Sequence, residues 1–137
     1  MELEPPPLGM SVLVAGLIIL ASFSVYYVIS LAGEGQLRSN RLAGIRLAPL
    51  LKSAAAWRIG HAAALDVARF QIIGVIVLSV LTLVVSPNPR LYISGLAASI
   101  IFLLVSSVLC VVRAVRAAKT VDAGEHPGNR TQIDEWQ

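Results

Sequence analysis

Charge is scarce in this chain: 14% of its 137 residues are Asp, Glu, Lys or Arg, against 56% hydrophobic. With a mean hydropathy of +0.76, that composition is too apolar for a water-soluble domain of this length, and it directs the reading to a membrane protein. Cysteine is nearly absent too. The one thiol, Cys110, lies inside an apolar run, which excludes a disulfide, a thiol pair or a cysteine-based zinc site within one chain and leaves a buried packing residue. Also missing are paired carboxylates within the apolar runs, a metal-ligand cluster, a Ser/His/Asp spacing and a glycine loop shaped for phosphate. The expectation is therefore a protein that is not an enzyme and holds no metal or cofactor. Intramembrane ionisable groups, the usual markers of an ion path, are lacking as well, which argues against transport by a single chain.

What the sequence does contain is three long apolar runs. The first, Leu8 to Ala32, carries no charge over its whole length and ends at Gly33-Glu34-Gly35. It is long enough to cross a hydrocarbon layer of about 30 Å. Tyr26 and Tyr27 near its end suit the headgroup level or helix packing. The second run begins at Phe70, after Arg69, and Ala62-Ala63-Ala64-Leu65 ahead of it favours a helix that starts well before the membrane. Ser86-Pro87-Asn88-Pro89 stops that helix, since proline lacks an amide hydrogen and restricts its predecessor. The third run, Leu91 to Val112, closes on Arg113, Arg116 and Lys119. Runs two and three thus read as a tight helical hairpin. Small-xxx-small pairs such as Gly95 with Ser99 are too common in spans to specify a dimer.

The 11 Lys and Arg outnumber the 8 Asp and Glu, and their placement is topological. Arg38, Arg41, Arg46, Lys52, Arg58 and Arg69 lie between the first two spans, and Arg113, Arg116, Lys119 and Arg130 follow the third. The first tail has none and the proline turn only Arg90. The positive-inside rule then puts the N-terminus outside and the basic loop and C-terminus in the cytoplasm. The N-terminal Met1 to Leu8, with two glutamates and three prolines, does not resemble a cleaved signal peptide. The expected layout is an all-α, three-span protein of a bacterial plasma membrane. It has an outer tail at 1–7, spans at 8–33, 67–86 and 91–113, a cytoplasmic loop and amphipathic helix at 34–66, an outer turn at 87–90 and a cytoplasmic tail at 114–137. From Thr120 onward the polar composition, with Gly124, Pro127 and Gly128, predicts disorder.

The loop carries the specific information. Gly44, Pro49 and Asn40 predict irregular backbone over its first half. Ser53 reads as the N-cap of an alanine-rich helix, on which Trp57 and His61 share a face continued by Leu65 and Ala68. Trp57 is expected as an interfacial anchor and Asn40 as a local backbone cap. Together with Arg46 and His61 they could instead fold the loop against the mouth of the bundle. His61 either hydrogen-bonds a loop carbonyl or titrates near neutral pH under the influence of Asp66. Arg46 could grip a phosphate or carboxylate with two hydrogen bonds or simply mark topology, and topology suffices for Arg38, Arg41, Lys52 and Arg58.

Asn40, Gly44-Ile45-Arg46, Pro49, Ser53, Trp57 and His61, in this order and spacing, resemble the signature of the SdpI/YfhL membrane protein family. This sequence has Ala48 where the family usually has Thr before the proline, and Ala54 where an acidic residue usually follows the serine. The resemblance covers about twenty-two residues and implies a structured loop inside a three-span unit. It also implies immunity to a secreted peptide toxin, or signalling that holds a transcriptional repressor at the membrane, although the family's best-known member has a further membrane portion that this chain lacks. The expectation is a non-catalytic binding protein whose site is Asn40, Gly44, Arg46, Pro49, Ser53, Trp57 and His61. Its partners would be the bilayer with its anionic headgroups, and another membrane protein or a second copy, with no nucleic acid. An accessory subunit of a larger envelope complex and a lipid-handling activity centred on Arg46 and His61 are the alternatives.

Overall fold

The computed structural model describes residues 4–37 and 43–124, and among them there are four helices and no strand. Helix α1 spans Leu8–Gly33, α2 Ala48–Leu51, α3 Ala54–Val84 and α4 Pro89–Gly124. The three long ones are each long and apolar enough to cross a membrane, so the chain is an α-helical multi-pass membrane protein.

Each boundary has a local cause. Helix α1 starts after the prolines, with Pro7 C=O accepting from Met10 and Ser11 N–H. It ends where Gly35 adopts φ +79° and Leu37 N–H returns to Leu31 C=O at 3.0 Å, a left-handed glycine closure. Ser53 caps α3 through Oγ, which accepts from Ala56 N–H at 3.0 Å. Asn88 caps α4 in the same manner, its Oδ1 accepting from Arg90 N–H at 3.1 Å and Leu91 N–H at 3.3 Å. Pro89, next in line, suits a first helical position because its missing N–H would have had no partner there.

Helices α1 and α4 both pack on α3, which runs antiparallel to each. The buried face of α3 runs through Trp57, His61, Ala64, Ala68, Gln71, Val75, Ser79 and Thr82, widened at its start by Ala56 and Gly60, in steps of three or four residues that keep one side of the helix against its neighbours. Small residues let the backbones close up. Built onto Gly74, a Cβ would lie 2.4 Å from the Phe102 ring, and onto Gly95 2.6 Å from Thr82 Oγ1. Gly95 and the buried Ser99 are therefore used in packing α4 on α3 within one chain. Cys110 is buried, with Sγ 3.9 Å from both Ala64 O and Gln71 Oε1. Its place is structural, as its sequence position predicts.

Helices α3 and α4 are longer than a bilayer needs. The 31 residues of α3 rise about 46 Å, while a hydrocarbon core takes about 20 residues. The surplus lies at the basic end, where exposed Arg58, Asp66 and Arg69 precede the uncharged stretch. There α3 and α4 continue side by side beyond the apolar zone. Helix α4 stays regular to Gly124, so residues 114–124, assigned to the tail by composition, extend the third helix. The remainder of that tail, 125–137, lies outside the described residues. A hydrophobic core also sits at this end, built from Ile29, Ala32, Leu50, Ala56, Trp57, Ala64, Ala68, Cys110, Ala114 and Ala118.

Candidate functional site

The loop returning from α1 to α3 is clamped onto α3 by Trp57 and His61. The Ser53 cap sets the start of α3, and Trp57 and His61 fall one turn apart on its buried face. Their rings lie 4.2 Å apart between centroids, tilted by 43°. The indole Nε1–H donates to Leu37 C=O at 3.0 Å, tying down the chain where it leaves α1. His61 ties the other strand of the loop, its Nε2 accepting from Ile45 N–H at 3.0 Å. Nδ1 of the same ring lies 2.8 Å from Trp57 C=O. A ring nitrogen that accepts from an amide cannot carry a proton, so the other must, and the imidazole is the neutral Nδ1–H tautomer.

Gly44 makes this closure possible. Its φ of +94° lies in the left-handed region, and a Cβ there would come within 2.7 Å of Trp57 Cη2 and 2.9 Å of His61 Nε2. Only glycine meets both conditions. Downstream, Pro49 stands in the first turn of α2, after Leu47 in extended conformation. This one-turn helix falls in a stretch predicted to be irregular up to Ser53. Its purpose is visible in Leu50, which is fully buried. Leu50 packs where Gly60 of α3 approaches Ala114 C=O of α4.

His61 has no exposed surface, and it lies nine residues, about 14 Å along the helix, ahead of Phe70, where the uncharged stretch of α3 begins. Burial pushes its pKa below the ordinary value of 6.5, and the hydrogen bond to Trp57 C=O opposes this only in part. Asp66 takes no part in that shift. Its carboxylate faces Arg69 Nη1 at 3.9 Å on the exposed side of α3, which removes the expected tuning of His61 by Asp66.

Of the sequence-predicted site residues, the structure brings Gly44, Trp57 and His61 into contact and uses Ser53 and Pro49 to place the flanking helices. Trp57, expected at the membrane interface, is instead 2% exposed, because its hydrogen-bond partner is the loop and its ring is covered by Gly44. Arg46, one residue beyond the Ile45 anchor, is exposed. Asn40 lies outside the described residues, as do Arg38 and Arg41. Missed from the sequence were Leu37 and Ile45, which contribute backbone groups, and Leu50. An apolar residue directly after Pro49 was the one signal available for Leu50; backbone donors and acceptors leave none. Among the described residues no group of three or more His, Cys, Asp or Glu is placed to hold a metal ion.

No family model, no curated protein and no solved structure matches the chain. Fold and site together define a multi-pass helical membrane protein whose inter-span loop is tied to α3 at Leu37 and Ile45, at its basic end.

Proposed function

We propose that this chain is a non-catalytic, SdpI-like membrane protein of a bacterial plasma membrane that acts by binding through its basic loop. The loop faces the cytoplasm, the N-terminus and the α3–α4 turn face outward, and the outcome of binding is immunity to an envelope-active peptide or signalling to a cytoplasmic partner. One observation carries this reading: the loop is a built surface. One hydrogen bond between His61 and Ile45 and a left-handed Gly44 set against the Trp57–His61 ring pair fix the chain at 44–45, and a second hydrogen bond from Trp57 ties Leu37 where the chain leaves α1. Such preorganisation lowers the ordering cost of binding. A topological spacer would need none of it. Arg46 stands exposed on that surface, where a planar guanidinium can make paired hydrogen bonds to a carboxylate or phosphate.

The test compares two variants in cells lacking the native gene and challenged with an envelope-active peptide. Wild type restores resistance. Arg46→Ala fails to restore it with the fold intact, and His61→Ala fails because the loop is released, while both insert normally. Resistance equal to wild type in both variants overturns the reading. Stoichiometric co-purification with a large membrane protein, with no change in sensitivity on deletion, replaces it with an accessory-subunit role.

A further inference from the structure

Where the clamped loop leans over α1 it closes one side of an apolar groove. The groove is lined by Ser24, Val25, Val28 and Ile29 of α1 and by Gly44 and Ile45 of the loop. Ser24 turns its hydroxyl inward to Leu20 C=O at 2.8 Å, so the lining presents mainly hydrocarbon.

The depth of this groove is set by how α1 meets α3. A Cβ on Gly33 would sit 3.0 Å from Ala62 N, so Gly33 lies level with Ala62. Ile29 and Val25 are one and two turns deeper, about 6 and 12 Å. That brings Val25 level with the uncharged part of α3. At the shallow end, Ile45 is bonded to His61, outside the apolar zone. The groove thus climbs from the hydrocarbon edge to headgroup depth, and the exposed Arg46 follows Ile45 in the chain at its shallow end.

We propose that this groove is a seat for one anionic glycerophospholipid, with the upper part of an acyl chain along Val25, Val28, Ile29 and Ile45 and the headgroup phosphate on Arg46. Depth, lining and charge all fit this occupant. A peptide strand would bring backbone amides that the apolar wall cannot satisfy. The seat is preformed, because Ile45 is held by His61 whether or not a lipid is present. It puts the phosphate on the same Arg46 that the proposed binding role uses, and lipid retention on the purified protein reads it separately from that role.

Lipid retention on the purified full-length protein tests it apart from any cellular phenotype. The protein is stripped in detergent, titrated with phosphatidylglycerol or phosphatidylcholine and weighed by native mass spectrometry. Wild type should retain one phosphatidylglycerol per chain, preferred about tenfold over phosphatidylcholine, equivalent to about 1.4 kcal/mol. Arg46→Ala should erase the preference, and Val25→Trp, which fills the exposed mouth of the groove, should lower retention of both lipids. Lys119→Ala removes an exposed charge on α4 and should change nothing. Retention in Arg46→Ala and Val25→Trp equal to wild type overturns the proposal. So does an equal loss in Lys119→Ala, which would reduce the effect to net charge. A wild-type dimer that Val25→Trp converts to monomer also overturns it, by making a second copy the occupant.

Discussion

His61 is the residue on which the loop's conformation turns. Neutral, it accepts from Ile45 N–H and donates to Trp57 C=O; protonated at Nε2, it would set one N–H against another in a site closed to water. Its folded pKa lies below 6.5, so between the folded and unfolded values the unfolded chain binds more protons and stability falls with acid. The contribution is complete above about pH 6.5 and is lost as pH drops toward the folded pKa. Trp57, in ring contact with His61, reports it directly. In a Trp136→Phe background, indole fluorescence should change with a midpoint below pH 6.5, and the change should vanish in His61→Gln. A midpoint at or above pH 6.5 would show that the imidazole is not buried as neutral. The sequence placed Trp57 and His61 on one face, because a spacing of four does that in any helix. It offered the loop folding over that face only as one of two alternatives, since the covering groups are a backbone amide, a backbone carbonyl and a glycine with no side chain to signal them.

At the scale of elements, α2 shows how one turn of helix can matter to a membrane protein. Four residues are far too few to be stable alone, so α2 persists through Leu50, whose side chain fills the space between Gly60 and Ala114. Leu50→Ala should destabilise the protein by about 2–5 kcal/mol, read as a lower melting temperature in detergent. Ser107→Ala, on α4 well inside the apolar zone, should cost far less, because Ser107 donates to Leu103 C=O of its own helix and meets Gln71 Nε2 only at 3.4 Å. An equal cost for both would mean that α2 is not anchored at Gly60. The three long helices were legible from their uncharged runs, as were the Ser53 cap and the stop before Pro89. The extension of α4 to Gly124 was not, because Ala114 and Ala118 look unremarkable among Arg113, Arg116 and Lys119 until α3 and α2 are seen to bury them.

For the whole molecule, the uneven lengths produce two regions held by different forces. Within the apolar zone the helices meet through glycine, alanine and serine, where lipid supplies no hydrophobic drive and close backbone approach does the work. Beyond it, α2, the loop and the projecting ends of α3 and α4 bury Trp57, Leu50 and their alanine neighbours from water, so the hydrophobic effect acts again. Nearly all the basic residues flank that second region, and the orientation proposed above puts it in the cytoplasm. A Cys110→Ala protein with a single cysteine at Asn88 should react with a membrane-impermeant maleimide in intact cells, and one with a cysteine at Ser39 only after lysis. Labelling of Ser39→Cys from outside would reverse the orientation and with it the cytoplasmic partner.

The order of the apolar runs and the positions of proline, glycine and arginine determined the three long helices and their solvent, because each is a local consequence of transfer free energy or of a missing amide hydrogen. Only the tertiary structure decided that Trp57 and His61 are buried, that Gly44 must be glycine and that Asp66 does not touch His61. Those outcomes depend on which groups from distant parts of the chain arrive at the same few ångströms, and on backbone atoms that every residue type carries alike.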